Sequence, residues 1–161
     1  MNPVTIVDYE PTHQSYFEKF NRNWIEKYFT MEPLDEFVLT NPEEAILKPG
    51  GAILMALYEG EIAGTVALRK ITDNTYEFTK MAVDESFQRK GIAEALSYAS
   101  FKKAKELGAE FVILYSNSAL APAIKLYEKL GFKHIPIGTG EYKRSDVKMS
   151  IPVSEINTMK F

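Results

Sequence analysis

The sequence predicts an α/β domain (α+β in some schemes) built on a mixed, mostly antiparallel sheet with helices on both faces. Three observations carry this. Between residues 52 and 83, three β-rich runs are joined by the short connections Glu59-Gly60 and Thr72-Asp73-Asn74, and strands so joined must be antiparallel. Beyond residue 88 the apolar spacing turns helical, and residues 111–115 form an apolar, β-rich run of the kind buried between helices. No repeat, low-complexity tract or linker divides the 161 residues, so residues 1–153 read as one domain and 154–161 as a loosely held tail.

Taken in order, residues 4–9 read as a short strand and 12–28 as a helix. Phe17, Phe20, Trp24 and Tyr28 recur on that helix as an aromatic stripe. The stripe packs a helix on a sheet, and its end, Trp24 and Tyr28, could also wall a substrate pocket. Glu32-Pro33 and Asn41-Pro42-Glu43-Glu44 start short helical turns. Lys48-Pro49-Gly50-Gly51 is a turn, and strands follow over 52–57, 62–71 and 75–83, with a bulge expected at Gly64. A helix over 89–107 stops at Gly108. After the strand at 111–115, a helix over 119–130 is capped by Asn117 or Ser118 at its start and by Gly131 at its end. Strands at 132–137 and 144–151, with Gly138-Thr139-Gly140 between them, close the sheet.

Composition removes several classes of function. The chain has no cysteine, which excludes disulfides, thiolate catalysis and cysteine–metal sites. His13 and His134 stand in no metal-binding spacing, so no metal is expected. The net charge of −3 and the lack of a basic stripe argue against a nucleic-acid partner. No apolar run approaches membrane-spanning length and no leader precedes the fold, so the expectation is a soluble cytoplasmic protein with no membrane partner.

The turn after the third strand has the makings of an anion site. A strand ending at Val83 leads through Asp84-Glu85-Ser86 to a helix start near Arg89 or Lys90, where the first N–H groups have no intrahelical acceptors. Gly91 lets the backbone approach a bulky pyrophosphate and Ala93 keeps the next turn narrow. Arg89 and Lys90 add charge. This is neither the three-glycine dinucleotide fingerprint nor a P-loop.

Met81-Ala82-Val83 followed by Gln88-Arg89-Lys90-Gly91-Ile92-Ala93 is similar to the acetyl-CoA signature of the GCN5-related N-acetyltransferases, the GNAT family. Ala123 to Phe132, through Tyr127-Glu128-Lys129-Leu130-Gly131, resembles the family's second signature. The stretch Trp24-Ile25 to Tyr28-Phe29, Glu32 and Asp35 is similar to a set of small family members. One departure is Leu120, where many members carry an asparagine; here Asn117 stands slightly earlier.

The resemblance implies an acyl-CoA N-acyltransferase-like fold with acetyl-CoA as donor and CoA as product. The backbone of Met81, Ala82 and Val83 would pair with the pantetheine arm, and the N–H groups from Arg89 through Lys90, Gly91 and Ile92 to Ala93 would hold the pyrophosphate. Gln88, Asn117, Ala123, Tyr127 and Lys129 complete the expected cofactor contacts. Strands 75–83 and 111–115 would splay to admit the cofactor. Tyr127 would act as general acid toward the leaving sulfur, and Glu77, directly or through water, as base. By strand alternation Glu77 shares a face with Thr79 and Met81. Trp24, Tyr28, Glu32 and Asp35 fall where the acceptor would bind, and the carboxylates lean toward a cationic small-molecule or exposed amine. Many relatives dimerise, and a homodimer through the late strands or the first helix is open. The alternatives are a CoA-binding regulatory or sensing module with little transferase activity, a structural protein, a longer acyl donor, or transfer to oxygen.

Overall fold

The turns and the periodicity organise a seven-stranded sheet in the computed structural model, which describes residues 3–138 and 143–158. The strands are β1 (Val4–Asp8), β2 (Ala52–Tyr58), β3 (Glu61–Lys70), β4 (Thr75–Val83), β5 (Phe111–Ser116), β6 (Lys133–Ile135) and β7 (Val147–Pro152), and they lie in the order β1-β2-β3-β4-β5-β7-β6. Glu59 and Gly60 both take left-handed backbone, φ 49° and 86°, the geometry that joins β2 to β3 without splaying them. Only β4 and β5 run parallel; every other neighbouring pair is antiparallel.

Helices α1 (Gln14–Tyr28) and α2 (Pro33–Thr40) cover one face, and α3 (Ile92–Glu106) and α4 (Ala121–Lys129) the other. Strand alternation sorts the core. Leu54, Ala56, Val66, Leu68, Tyr76 and Phe78 pack with Leu96 and Phe101 of α3, while Ile53, Met55 and Ala67 pack with Phe17, Ile25 and Leu39. A register shift on β3 falls beside Gly64, as its glycine predicts. There α3 lies so close that a Cβ on Gly64 would stand 3.2 Å from Ile92 and 3.3 Å from Leu96. Among the described residues no helix is long and apolar enough to cross a membrane.

Four sequence expectations are corrected. The third helix begins at Ile92, not at residue 89, because Arg89 and Gly91 adopt left-handed backbone (φ 64° and 77°) that no helix propagates. The N-cap of α4 is Leu120, with Pro122 in the first turn. Asn117 accepts the Ala119 N–H instead, and Ser118 bonds Asp146. Strand alternation fails at Lys80, whose φ of 54° marks an extra residue on β4 against β3. Met81 and Val83 therefore pack on the face of Phe78, away from Glu77 and Thr79. Finally, part of the expected tail is docked: Val153–Thr158 forms a 3₁₀ turn that buries Ile156 in the core. Thr139, Gly140 and residues 159–161 lie outside the described residues.

Candidate active site

The cleft originates in a ladder that stops early. β4 and β5 pair only at Thr75–Phe111, Tyr76–Val112 and Glu77–Ile113. β4 then continues to Val83 and β5 to Ser116 with no further pairing between them. Backbone groups on that edge of β4 are left outside the sheet, where an extended ligand can complete them. The bulge at Lys80 turns β4 away just past the last pair. Into this opening face side chains of α1, β4, β5, α4 and the segment before β7, around a cleft of roughly 730 Å³ counting space open to solvent.

At the far end of β4 the chain forms the turn that the sequence marked out. Asp84 accepts the Ser86 N–H across a 3₁₀ turn at Glu85–Phe87, and Gln88, Arg89, Lys90 and Gly91 are exposed. The first bond of α3 runs from Ala95 N–H to Gly91 C=O at 3.1 Å. The N–H groups of Ile92, Ala93 and Glu94 thus lie outside the helical ladder at its positive end. A Cβ on Gly91 would meet nothing within 4 Å, so the approach to these N–H groups is open. Lys90 rests 5.3 Å above the Tyr58 ring, beside this opening. Open edge, splayed strands and anion-holding turn together fit a cofactor with a long extended arm ending in a pyrophosphate.

Tyr127 meets the cleft from α4. Its ring stands edge-on to Phe78 and Phe132, at 5.9 and 6.1 Å between centroids. Desolvation pushes its phenol up to about 12. Its hydroxyl has no hydrogen-bond partner among the described residues, and the residue lines the cleft. Ala123 lines the same wall one turn earlier.

The opposite wall is held by charge. Asp35 is fully buried on α2 and bonds Lys80 Nζ at 2.7 Å. It also takes both arms of the Arg144 guanidinium, at 2.7 and 2.8 Å, and the Glu32 N–H at 2.9 Å. Burial alone would push the Asp35 carboxyl up, but Arg144, Lys80 and the Glu32 N–H outweigh it and hold the group at about 2. Burial pushes the Lys80 ammonium down against the pull of Asp35. Glu32 caps α2, receives Arg144 at 3.1 Å and accepts the Lys143 N–H. Glu77, 2% exposed, lines the cleft and is tied to Arg69 at 3.0–3.1 Å. The acidic groups that leaned toward a cationic acceptor are thus paired inside the protein.

The structure brings Tyr127, Glu77, Met81, Asn117, Ala123 and Trp24 to one cleft. It sets others apart. Lys129 is an exposed partner of Glu94 at 2.6 Å, and Tyr28 is half exposed, its ring tilted against Trp24 with centroids 5.6 Å apart. Asn117 uses its amide to hold Arg144 C=O at 2.6 Å, which anchors the segment before β7. Sequence reasoning missed Lys80 and Arg144. A lysine inside the apolar run from Phe78 to Val83 was the available signal; Arg144 offered none, because its partners lie more than a hundred residues away. Neither histidine joins the site: His13 accepts the Glu10 N–H and His134 faces Glu128 at 3.0 Å. Among the described residues no cluster of three metal-ligating side chains occurs.

A mixed sheet split between its two parallel strands, with an anion-holding turn at one end and a phenol across the split, defines the acyl-CoA N-acyltransferase class of fold. The model of the acetyltransferase (GNAT) family matches residues 12–132, and the chain belongs to that family. It is 36% identical over 91 residues to the N-acetylaspartate synthetase of Xenopus tropicalis, a match covering 56% of this chain and 34% of that protein. The chain thus spans about a third of that relative's length. Its fold is similar to a GNAT-family acetyltransferase from Staphylococcus aureus Mu50, with a TM-score of 0.82 at 20% identity over 93% of this chain and 99% of that one. It is also similar to a Salmonella typhimurium acetyltransferase determined with its cofactor acetyl-CoA, with a TM-score of 0.75 at 18% identity over 94% and 95% of the two chains.

Proposed function

We propose that the chain transfers the acetyl group of acetyl-CoA to a primary amine by direct attack within a ternary complex. The observation that carries this reading is the early end of the β4–β5 ladder, beside the cleft that Tyr127, Glu77 and Met81 line. The donor supplies a thioester carbonyl; this chain's residues do the rest. The N–H groups of Ile92 and Ala93 hold the pyrophosphate, and the unpaired edge of β4 from Met81 to Val83 aligns the arm. The amine nitrogen forms its bond to the acetyl carbon as the carbon–sulfur bond breaks. Tyr127 gives its proton to the departing sulfur, and Glu77, directly or through one water, takes the proton the amine loses. No covalent enzyme intermediate is needed, in keeping with a chain that has no cysteine.

Calorimetric titration with acetyl-CoA tests this. Saturable binding is expected, and Gly91→Glu, which sets a carboxylate where an anion is to sit, is expected to abolish it while the unfolding midpoint shows the variant folded. Absence of binding to the unaltered chain at millimolar cofactor, about the weak end of ordinary affinities, overturns the reading. Binding with no transfer to any amine in a broad panel points instead to a CoA-sensing module.

A further inference from the structure

Asn21 is out of place for a packing residue. It sits on α1 one turn after Phe17 and one turn before Ile25, on the stripe that seals α1 against the sheet, and is 1% exposed. A leucine there would bury apolar surface at no polar cost, whereas a buried amide needs its partners supplied. The protein supplies half of them. Asn21 Nδ2 donates to the Phe17 carbonyl at 3.0 Å, which fixes the amide's orientation because that carbonyl can only accept. Its Oδ1 has no partner among the described residues, yet the oxygen is not sealed off. Asn21 lines the cleft with Trp24 and Glu77. One buried acceptor is therefore held rigidly and aimed into the cleft.

The side from which Asn21 acts identifies what it meets. The α3 turn and Tyr127 lie with the face of the sheet that carries Phe78, and α1 covers the opposite face. A group reaching Asn21 approaches from across the split, opposite the proposed course of the donor. It must bring a hydrogen-bond donor, since a carbonyl oxygen can only accept, and the N–H of an amine acceptor supplies one. We propose that Asn21 is the specificity residue for the acceptor, with its Oδ1 taking a hydrogen bond from the acceptor amine and so turning the nitrogen lone pair toward the split. This rests on the acetyltransferase reading of the cleft.

The test uses n-propylamine as probe on the CoA-saturated protein. Trp24 is the sole tryptophan and lines the same cleft, so its fluorescence reads binding directly. A saturable fluorescence change is expected, with a matching shift of the Asn21 side-chain amide in a ¹⁵N spectrum. Asn21→Leu should weaken amine binding about tenfold or more, the effect of losing a hydrogen bond to a charged group. Its acetyl-CoA affinity should not change, and its unfolding midpoint should hold or rise. Should Asn21→Leu fail to fold, Asn21→Ala removes the same oxygen without adding bulk and should show the same loss of amine binding. No saturable amine response, unchanged amine binding in Asn21→Leu, or a loss confined to acetyl-CoA affinity each overturns the assignment. Failure of acetyl-CoA binding in the unaltered chain would instead strike the reading beneath it.

Discussion

The two walls of the cleft are built by different physics. Toward α3 and α4, the wall consists of backbone N–H groups, an unpaired strand edge and aromatic rings in mutual contact. Toward α1 and α2, it is fixed by Asp35, Lys80 and Arg144, which bond across 45 and 109 residues of chain. The first wall depends on main-chain geometry and on the packing of Phe78, Tyr127 and Phe132. The second is locked by a few charges removed from water, where each partner is needed to offset the desolvation of the others.

The strongest way to break this contrast is Asp35→Asn. It leaves the Lys80 and Arg144 cations together without their shared carboxylate, and should cost about 3–5 kcal/mol in denaturant unfolding, the range for breaking a buried ion pair. A loss below about 1 kcal/mol, the surface-pair range, would show that the triad is solvated and the contrast overstated. Tyr127→Phe probes the other wall, and should lower kcat by about 10²-fold or more. Because the lost hydroxyl has no hydrogen-bond partner among the described residues, the unfolding midpoint should barely move. A large loss of stability would instead make Tyr127 a packing residue.

A weaker effect is expected from pH. The Asp35 carboxyl titrates at about 2 in the folded chain against 3.8 when unperturbed. A folded-state value below the unfolded one means that its contribution, about 2 kcal/mol, is complete above about pH 4 and is lost as pH falls toward 2. Unfolding midpoints measured down that range should decline, and Asp35→Asn should flatten the decline. Smallest of all is Lys129→Ala. Its exposed pairing with Glu94 places it away from the cleft, so acetyl-CoA affinity should not change; a clear loss would return Lys129 to the cofactor site.

Local rules made the first wall legible. Hairpin spacing, the glycine at the helix start and the order of the two signatures all act over a few residues. What escaped was long-range or a local exception. The left-handed Lys80 reversed the strand parity that had put Met81 beside Glu77, and the same bulge carried Lys80 to Asp35. Arg89 and Gly91 delayed the helix for a similar reason, since backbone of that hand is favoured only at glycine. Glu32 and Asp35 were read as open carboxylates because nothing near them in sequence announces Arg144. Asn21 stands between Phe20 and Trp24 in the sequence, where nothing local announces that a polar side chain is buried.

The strand order has a consequence for how the protein is made. β5 holds β4 by three residue pairs but pairs with β7 at six positions, and β7 lies thirty residues downstream of it. While the chain leaves the ribosome, β5 therefore waits with an unpaired backbone edge until residues 147–152 emerge and slot in beside it. A ribosome stalled between the two strands would present that open edge to neighbouring nascent chains, the condition under which strands pair with the wrong partner.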